Sequence, residues 1–180
     1  MIGTRATANK VAELREEFDR TFALSPPSQG EEEFDSLLAI RVAGNAYAVR
    51  LGEMSGLVNN RETVPFPSPI PEFLGVAGIR GELVPVYSLA ALLGHNLNVD
   101  MPRWIVLCGA ENPVGLAFPK FDSFLQISRS DIHSTQRDEG VRDHVTEVVR
   151  AGAVARAMIS IPSILRAIRG RIGRNGSLKG

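Results

Sequence analysis

The residues best suited to metal binding or nucleophilic chemistry are three histidines and a single cysteine, and they are scattered along the chain. His95, His133 and His144 stand far apart in polar stretches, where solvent exposure is the expected state, and no His or Cys pair has metal-ligand spacing. Cys108 ends an apolar run that begins at Trp104, so we expect a buried small side chain rather than a nucleophile. The sequence therefore predicts no metal site and no cofactor.

Motifs for phosphate binding or acid–base catalysis are also missing from the sequence. It contains no G-x-G-x-x-G loop before a long helix and no Gly-x-Ser-x-Gly elbow. Adjacent carboxylates such as Asp138-Glu139 and Glu16-Glu17 lie in polar segments, where solvation accounts for them. We therefore expect a protein that is not an enzyme and has no catalytic residues.

Charge is balanced overall, with 20 basic and 20 acidic residues, but it is unevenly distributed. Residues 1–35 hold eight acids and four bases, whereas residues 150–180 hold seven bases and no acid. A small barrel can bind single-stranded nucleic acid in a basic groove with stacking aromatic residues. However, residues 36–149 carry twelve acids against nine bases, and aromatic residues such as Tyr47, Phe118 and Phe121 are not interleaved with Lys or Arg. Nucleic-acid binding therefore stays the less favoured alternative, supported by the basic tail.

Membrane and export signals are not evident. No apolar run approaches the ~20 residues that a membrane-spanning helix needs, and the N-terminus lacks the regions of a secretory signal. We expect a cytoplasmic protein without membrane insertion.

The stretch from Gly75 to Gly94 contains the clearest structural signal, two short apolar strands joined by a turn. Ile79, Arg80, Gly81 and Glu82 are predicted to form that turn, because Gly81 supplies the freedom that a tight reversal needs. Pro85 cannot donate a ladder hydrogen bond, which indicates an edge strand or a strand end. Residues 88–93 are predicted to form a short helix that Gly94 terminates.

Further strands are predicted on both sides of this hairpin. Alternating apolar residues from Leu38 to Leu51 indicate another hairpin, with Gly44-Asn45 as its turn, and residues 148–161 indicate a third, with Gly152 near its turn. Residues 128–146 are polar and are predicted to form a surface loop. About ten short strands result, and their number favours an all-β barrel or sandwich over a parallel βαβ fold.

The ends of the chain differ from this strand-rich middle. Val11, Leu14, Phe18 and Phe22 recur at helical spacing and predict an amphipathic helix, whose stripe packs on the domain or on a partner. A proline- and glutamate-rich linker follows, and Pro162 begins a short C-terminal helix to residue 168. We therefore divide the chain into an N-terminal helix and linker (1–33), a folded domain (34–168) and a basic flexible tail (169–180).

The central stretch resembles the motif of the CheW-like chemotaxis coupling family. The matching residues are Gly75, Val76, Arg80, Gly81, Pro85, Val86, Leu89 and Gly94. The proline-rich approach at residues 64–69 is also similar, and a fainter likeness runs from about residue 34 to residue 167. The resemblance implies two intertwined five-stranded SH3-like barrels. It also implies a non-enzymatic protein that couples the cytoplasmic hairpin tip of a chemoreceptor to the regulatory domain of a sensor histidine kinase.

Five residues occupy places that the resemblance connects with binding. Arg80 matches the motif arginine, and its guanidinium either braces the hairpin or contacts a partner. Met54, Leu57 and Val58 match the strand that borders the receptor-binding groove in the family, although a core position is the alternative for each of them. Ile79, beside Arg80, leaves the same two possibilities open.

Several residues depart from the family pattern. Gly56 stands where a glutamate is common, Gly78 replaces an asparagine, Tyr87-Ser88 stands where an acid often follows the strand, and Pro119 occupies a frequent aspartate position. These differences remove polar groups without disturbing the strand pattern. They indicate a divergent member, and they leave open a β-barrel adaptor that binds some other protein and no longer couples receptors.

Overall fold

The computed structural model describes residues 33–96, 101–109, 111–134 and 144–176, with side chains as far as residue 173. A compact unit begins at Phe34. The predicted N-terminal helix, and the linker up to residue 32, lie outside the described residues.

Within the described residues, eleven β-strands make up most of the fold. They are β1 (Phe34–Val42), β2 (Asn45–Arg50), β3 (Gly56–Asn59), β4 (Phe73–Ile79), β5 (Glu82–Ser88), β6 (Trp104–Cys108), β7 (Val114–Phe118), β8 (Lys120–Ser128), β9 (Ile132–Ser134), β10 (Val145–Ala151) and β11 (Val154–Ile159). Two α-helices, α1 (Leu89–Leu92) and α2 (Ile161–Gly176), and two 3₁₀ helices, Leu51–Glu53 and Arg129–Asp131, complete the described elements.

The strands form two mixed sheets that are interleaved along the chain. The first sheet has the order β8-β1-β2-β11-β10-β9, and the second has the order β3-β6-β7-β5-β4. The chain leaves the first sheet after β2, builds the whole second sheet, and returns at β8. The last strand, β11, then pairs parallel with β2 and joins the two parts of the first sheet. The predicted all-β, intertwined architecture is confirmed, but the first sheet has six strands rather than five.

Three apolar clusters explain how the two sheets hold together. One cluster belongs to the first sheet and includes Leu37, Ala48 and Met158. Another belongs to the second sheet and includes Ile79 and Val84. The largest cluster combines residues of both sheets with Ile161, Ile164 and Ile168 of α2. Because alternate residues of a strand face opposite sides, a strand such as β1 contributes to a cluster within its own sheet and to the shared core.

The first hairpin turns one residue earlier than the sequence indicated. Ala43 and Gly44, with φ of +49° and +77°, are its two central residues, and Asn45 already belongs to β2. Two positive φ angles are the mark of the type I′ turn that matches strand twist. The Asn45 side-chain amide donates to the Ala43 carbonyl at 3.1 Å, so asparagine stabilises the turn from its first strand position.

Pro85 is not on an edge strand, because β5 lies between β7 and β4. It pairs with Val76 of β4, whereas the pairing with β7 begins only at Val86. Pro85 thus lies just before the part of β5 that pairs with a strand on both sides, where a residue without an N–H is tolerated. The predicted short helix is confirmed as α1: the Ser88 side chain accepts a hydrogen bond from the Ala91 N–H at 3.2 Å.

Two other segments are more ordered than predicted. Part of the expected surface loop forms the 3₁₀ helix Arg129–Asp131 and β9, which pairs with β10 and supplies the sixth strand. The C-terminal helix continues to Gly176, so residues 169–176 are helical rather than part of a flexible tail. An ion pair between Arg171 and Glu72 ties this added part to the loop before β4. At its other end, the Glu53 carboxylate accepts a hydrogen bond from the Ile161 N–H at 2.9 Å.

Candidate protein-binding surface

The tip of the β4–β5 hairpin is the first candidate surface. Arg80 and Gly81 are the central residues of its turn, with φ of +53° and +85°, and Ile79 pairs with Glu82 beside them. Positive φ is uncommon for arginine, and it is compatible here with the type I′ geometry that a two-residue hairpin favours. The predicted turn is thus confirmed.

Arg80 is exposed, and its guanidinium lies over Gly56 of β3. Nη2 of Arg80 is 3.2 Å from the position that a Cβ atom on Gly56 would take. Among the described residues, Arg80 makes no hydrogen bond or ion pair, so no carbonyl or carboxylate holds it as a hairpin brace. The guanidinium has five donors, and they remain available to a binding partner.

The other four predicted binding residues are less accessible. Ile79 is only 3% exposed and belongs to the core of the second sheet, so it is a core residue in this structure and not a surface contact. Val58 is half-buried against that same core, whereas Met54 and Leu57 are half-buried against the core that both sheets share. Leu57 and Val58 therefore point to opposite sides of β3, and the five residues do not form one continuous surface.

Leu83 is an exposed apolar residue that the sequence analysis did not single out. It is 78% exposed on β5 and pairs with Gly78, which has no side chain to cover it. Leu83 and Val84 are adjacent and both apolar, so strand alternation alone does not predict which of the two is exposed. The structure places Val84 in the core. Leu83 lines an open pocket with Leu165, Ile168 and Ile172 of α2, whereas the Arg80 guanidinium lies over Gly56 of β3, so the two side chains face different neighbours.

Two of the three histidines are not solvent-exposed, contrary to the prediction. His144 is buried, and its Nδ1 lies 3.0 Å from the Ser163 hydroxyl, because the chain enters β10 beside the start of α2. His95 is half-buried, with Nε2 2.9 Å from the Tyr47 hydroxyl. His133 is exposed on β9, as expected. The two inner histidines have structural partners and do not converge on a common site.

Cys108 is buried as predicted, and burial raises the pKa of its thiol to about 12. A thiol in this environment is inert at neutral pH. The described residues contain no group of three or more His, Cys, Asp or Glu side chains placed to hold a metal ion. In the same part of the chain, no helix is long and apolar enough to span a membrane.

A charged network lies at one end of the first sheet. Arg50 Nε is 2.8 Å from an Asp35 oxygen, Arg50 Nη1 is 2.7 Å from Glu147, and Arg129 Nε is 2.9 Å from the other Asp35 oxygen. Hydrogen bonds from Arg50 and then Arg129 lower the pKa of Asp35 below its usual value. The hydrogen bond to Glu147 likewise raises the pKa of Arg50. These contacts join β1, β2, β10 and the second 3₁₀ helix, so we interpret the network as structural.

Comparison with known proteins adds a family to this geometry. Residues 36–169 match the family model of the CheW-like domain. No curated protein matches the sequence. Among solved structures, the chain is similar to the scaffolding protein TtCheW from Thermoanaerobacter tengcongensis, with a TM-score of 0.65 and 14% sequence identity over 72% of this chain and 90% of that one. At this identity the likeness establishes the fold, and it agrees with the architecture described above.

Proposed function

Because the chain belongs to the CheW-like domain family, we propose that it is a non-enzymatic coupling scaffold of a chemosensory signalling array. In this proposal it links the cytoplasmic hairpin tip of a chemoreceptor to the regulatory domain of a sensor histidine kinase, and it acts in the cytoplasm beside the membrane receptors. The observation that carries the proposal is the family match over residues 36–169, which include both sheets and most of α2.

The hairpin tip supports a binding role for Arg80. Its backbone is constrained by a two-residue turn between two paired strands, while its guanidinium is exposed and has no partner among the described residues. Arginine is one of the residue types enriched at protein interfaces and among their hot spots. We assign partner contact, rather than hairpin bracing, to Arg80.

A scaffold of this kind couples two proteins through geometry and affinity. A receptor can change kinase activity only if the bound scaffold favours one kinase state over the other. Interleaved sheets with a shared core suit this task, because a packed β-scaffold transmits the position of one surface to another with little deformation. The chemistry of phosphate transfer then belongs to the kinase.

The first test is a binding titration against the regulatory domain of a chemotaxis histidine kinase from the same organism. We expect saturable binding in the micromolar range or tighter. Arg80→Ala should weaken it roughly tenfold or more, because a charge-assisted hydrogen bond contributes about 1.5–3 kcal/mol. Arg80→Glu should weaken it further through charge reversal. Arg150→Ala is the matched control, since Arg150 is an exposed arginine on β10 of the other sheet.

Circular dichroism and urea unfolding should show that each variant is folded. Failure of the folded wild-type protein to bind the kinase domain would contradict the kinase part of the proposal. A second titration, with a receptor cytoplasmic hairpin, tests the receptor part. Binding to the kinase domain without binding to the receptor would favour the adaptor that no longer couples receptors, which Gly56 and Gly78 make the natural second candidate.

A further inference from the structure

A cleft of about 580 Å³ opens where the two sheets meet, near the start of β6. The lining residues are Arg41, Gly44, Met101, Arg103, Trp104, Pro119, Lys120 and Phe121. They come from the end of β1 and the turn after it, the entry to β6, and the β7–β8 junction. Within the β3–β6 pair, Trp104 is opposite Asn59 and Leu107 is opposite Gly56, the residue under Arg80. Trp104 of the cleft is thus three residues, about 10 Å, along β6 from the residue opposite Gly56.

The cleft is strongly basic. Arg103 and Lys120 are exposed and make no side-chain hydrogen bond or ion pair with the described residues. Arg41 is 39% exposed at its side chain, and its Nε lies 3.2 Å from Asp122. The same Asp122 oxygen is 3.1 Å from Nη2 of Arg156. Arg41, Arg103 and Lys120 thus give the cleft three cations, and none of the described residues that line it is acidic.

Asp122 neutralises Arg41 only in part, because it is also the partner of a buried arginine. Arg156 is 7% exposed, and two of its donor atoms, Nε and Nη1, are buried and have no hydrogen-bond partner in the described part of the chain. A buried cation depends on its counter-ion much more than an exposed one does. The Asp122 charge therefore stabilises Arg156 first, and Arg41 can still bind an incoming anion.

The cleft also has an apolar side. Met101 is 88% exposed at its rim, and Trp104 and Phe121 are half-buried with ring centroids 5.4 Å apart at 50°. Arg103 precedes Trp104 and Lys120 precedes Phe121, so basic and aromatic residues do alternate here, which the sequence analysis had not recognised. The two rings pack against each other at a tilt instead of offering parallel faces for stacked bases. Three cations in one cleft also fit a short acidic stretch better than a long phosphate backbone.

We propose that this cleft binds an acidic, extended peptide segment of a partner protein. Carboxylates of the segment pair with Arg41, Arg103 and Lys120, and an apolar side chain between them packs on Trp104 and Met101. Charge complementarity favours this occupant, because the described lining places three cations beside an apolar side. No residue of the β4–β5 hairpin is among the described residues that line the cleft, so the cleft can be tested without the kinase or the receptor.

Trp104 makes a direct test possible because it is the single tryptophan of the chain. A short synthetic peptide that alternates Glu and Leu is titrated into the full-length protein while tryptophan fluorescence is recorded. The same peptide with Gln in place of Glu, and a short oligouridine, are titrated in parallel. We expect the Glu-Leu peptide to change the tryptophan fluorescence of the wild type in a saturable way. The Arg103→Gln/Lys120→Gln double variant should bind it roughly tenfold more weakly. The charge-matched control Arg150→Gln/Arg166→Gln should bind it with wild-type affinity.

The proposal is overturned if the Glu-Leu peptide gives no saturable response up to about 1 mM. It is also overturned if the Gln-Leu peptide binds with equal affinity, or if both double variants lose binding to the same extent. Tighter binding of the oligouridine would also overturn it and would assign the cleft to nucleic acid. The four replaced side chains are exposed and make no hydrogen bond or ion pair with the described residues. Both double variants should therefore have the same urea midpoint of unfolding as the wild type.

Discussion

Replacing Gly56 with glutamate should weaken binding through Arg80 by giving the guanidinium a partner within the same chain. A Cβ atom at position 56 would lie 3.2 Å from Arg80 Nη2 and 3.5 Å from a Leu107 methyl carbon. The close atom is the end of a flexible side chain, so a small rotation of Arg80 accommodates the substitution. A glutamate at this position then has its carboxylate within reach of the guanidinium.

The size of the effect follows from the energy of such a pair. An exposed ion pair contributes about 0.2–1 kcal/mol, which corresponds to an equilibrium constant of about 1.4–5 for the paired over the unpaired state. If only the unpaired arginine contacts the kinase domain, the apparent Kd rises about 2–6-fold. Arg80→Ala removes the contact altogether and should cost about tenfold or more.

The assay is a calorimetric or fluorescence titration of the kinase regulatory domain with four proteins: the wild type, Gly56→Glu, Arg80→Ala and the double variant. Gly56→Gln has nearly the same volume without the charge and serves as the matched control. Because sequestration needs Arg80, Gly56→Glu should have little further effect once Arg80 is alanine. Rising salt should weaken the internal pair and narrow the difference between wild type and Gly56→Glu.

Two results would refute this reasoning. Equal weakening by Gly56→Gln and Gly56→Glu would show that volume, not charge, disturbs the interface. Full additivity of Gly56→Glu and Arg80→Ala would show that the glutamate acts on the partner independently of the arginine.

The remaining predictions concern the fold and its titrating groups. Gly75→Ala should destabilise the protein by about 3 kcal/mol or more in urea unfolding, because φ is +138° and a Cβ atom would overlap the Val64 carbonyl. Gly78→Ala is the control, since a Cβ atom there meets no described atom within 4 Å. A comparable loss of stability in Gly78→Ala would argue against the steric explanation. The pKa of Asp35 is lower in the folded protein than its unfolded-state value near 3.8. The ionised carboxylate therefore stabilises the fold fully above that value, and this stabilisation is lost as the pH falls through the folded-state pKa. Asp35→Asn should therefore cost about 1–2 kcal/mol at pH 7 and progressively less below about pH 4, and a cost independent of pH would exclude this linkage. Cys108 should react with a thiol reagent at pH 8 only after unfolding, because it is buried with a pKa of about 12; rapid reaction of the native protein would contradict its burial.

Much of the strand pattern could be predicted because its signals are local. Alternating apolar residues, and glycine where φ is positive, identified the hairpin around Arg80-Gly81. Ser88 and Gly94 likewise marked the ends of α1. The first turn was predicted one residue too late, at Gly44-Asn45. Its first central residue is Ala43, whose positive φ is not expected of alanine. Local patterns thus locate a turn well but do not resolve its register.

Side-chain exposure was harder to predict because it depends on distant parts of the chain. Ile79 and Leu83 are both apolar residues near the same turn, yet one is core and the other is 78% exposed. His144 is buried by a helix that begins 17 residues later, since α2 starts at Ile161. The basic cleft combines three separate segments, so no window of sequence contains it.

The parallel pairing of β11 with β2 has a consequence for the order in which the sheets can be completed. Every strand of the second sheet lies between residues 56 and 118, so that sheet is available as one continuous segment while the chain is being synthesised. The first sheet waits for β11, and until then β2 has an unpaired edge on the side that β11 will occupy. A chain cut before Val154 would keep this edge open, and an open strand edge promotes pairing with other chains. Loss of the C-terminal strand should thus lead to aggregation rather than to a shorter working scaffold.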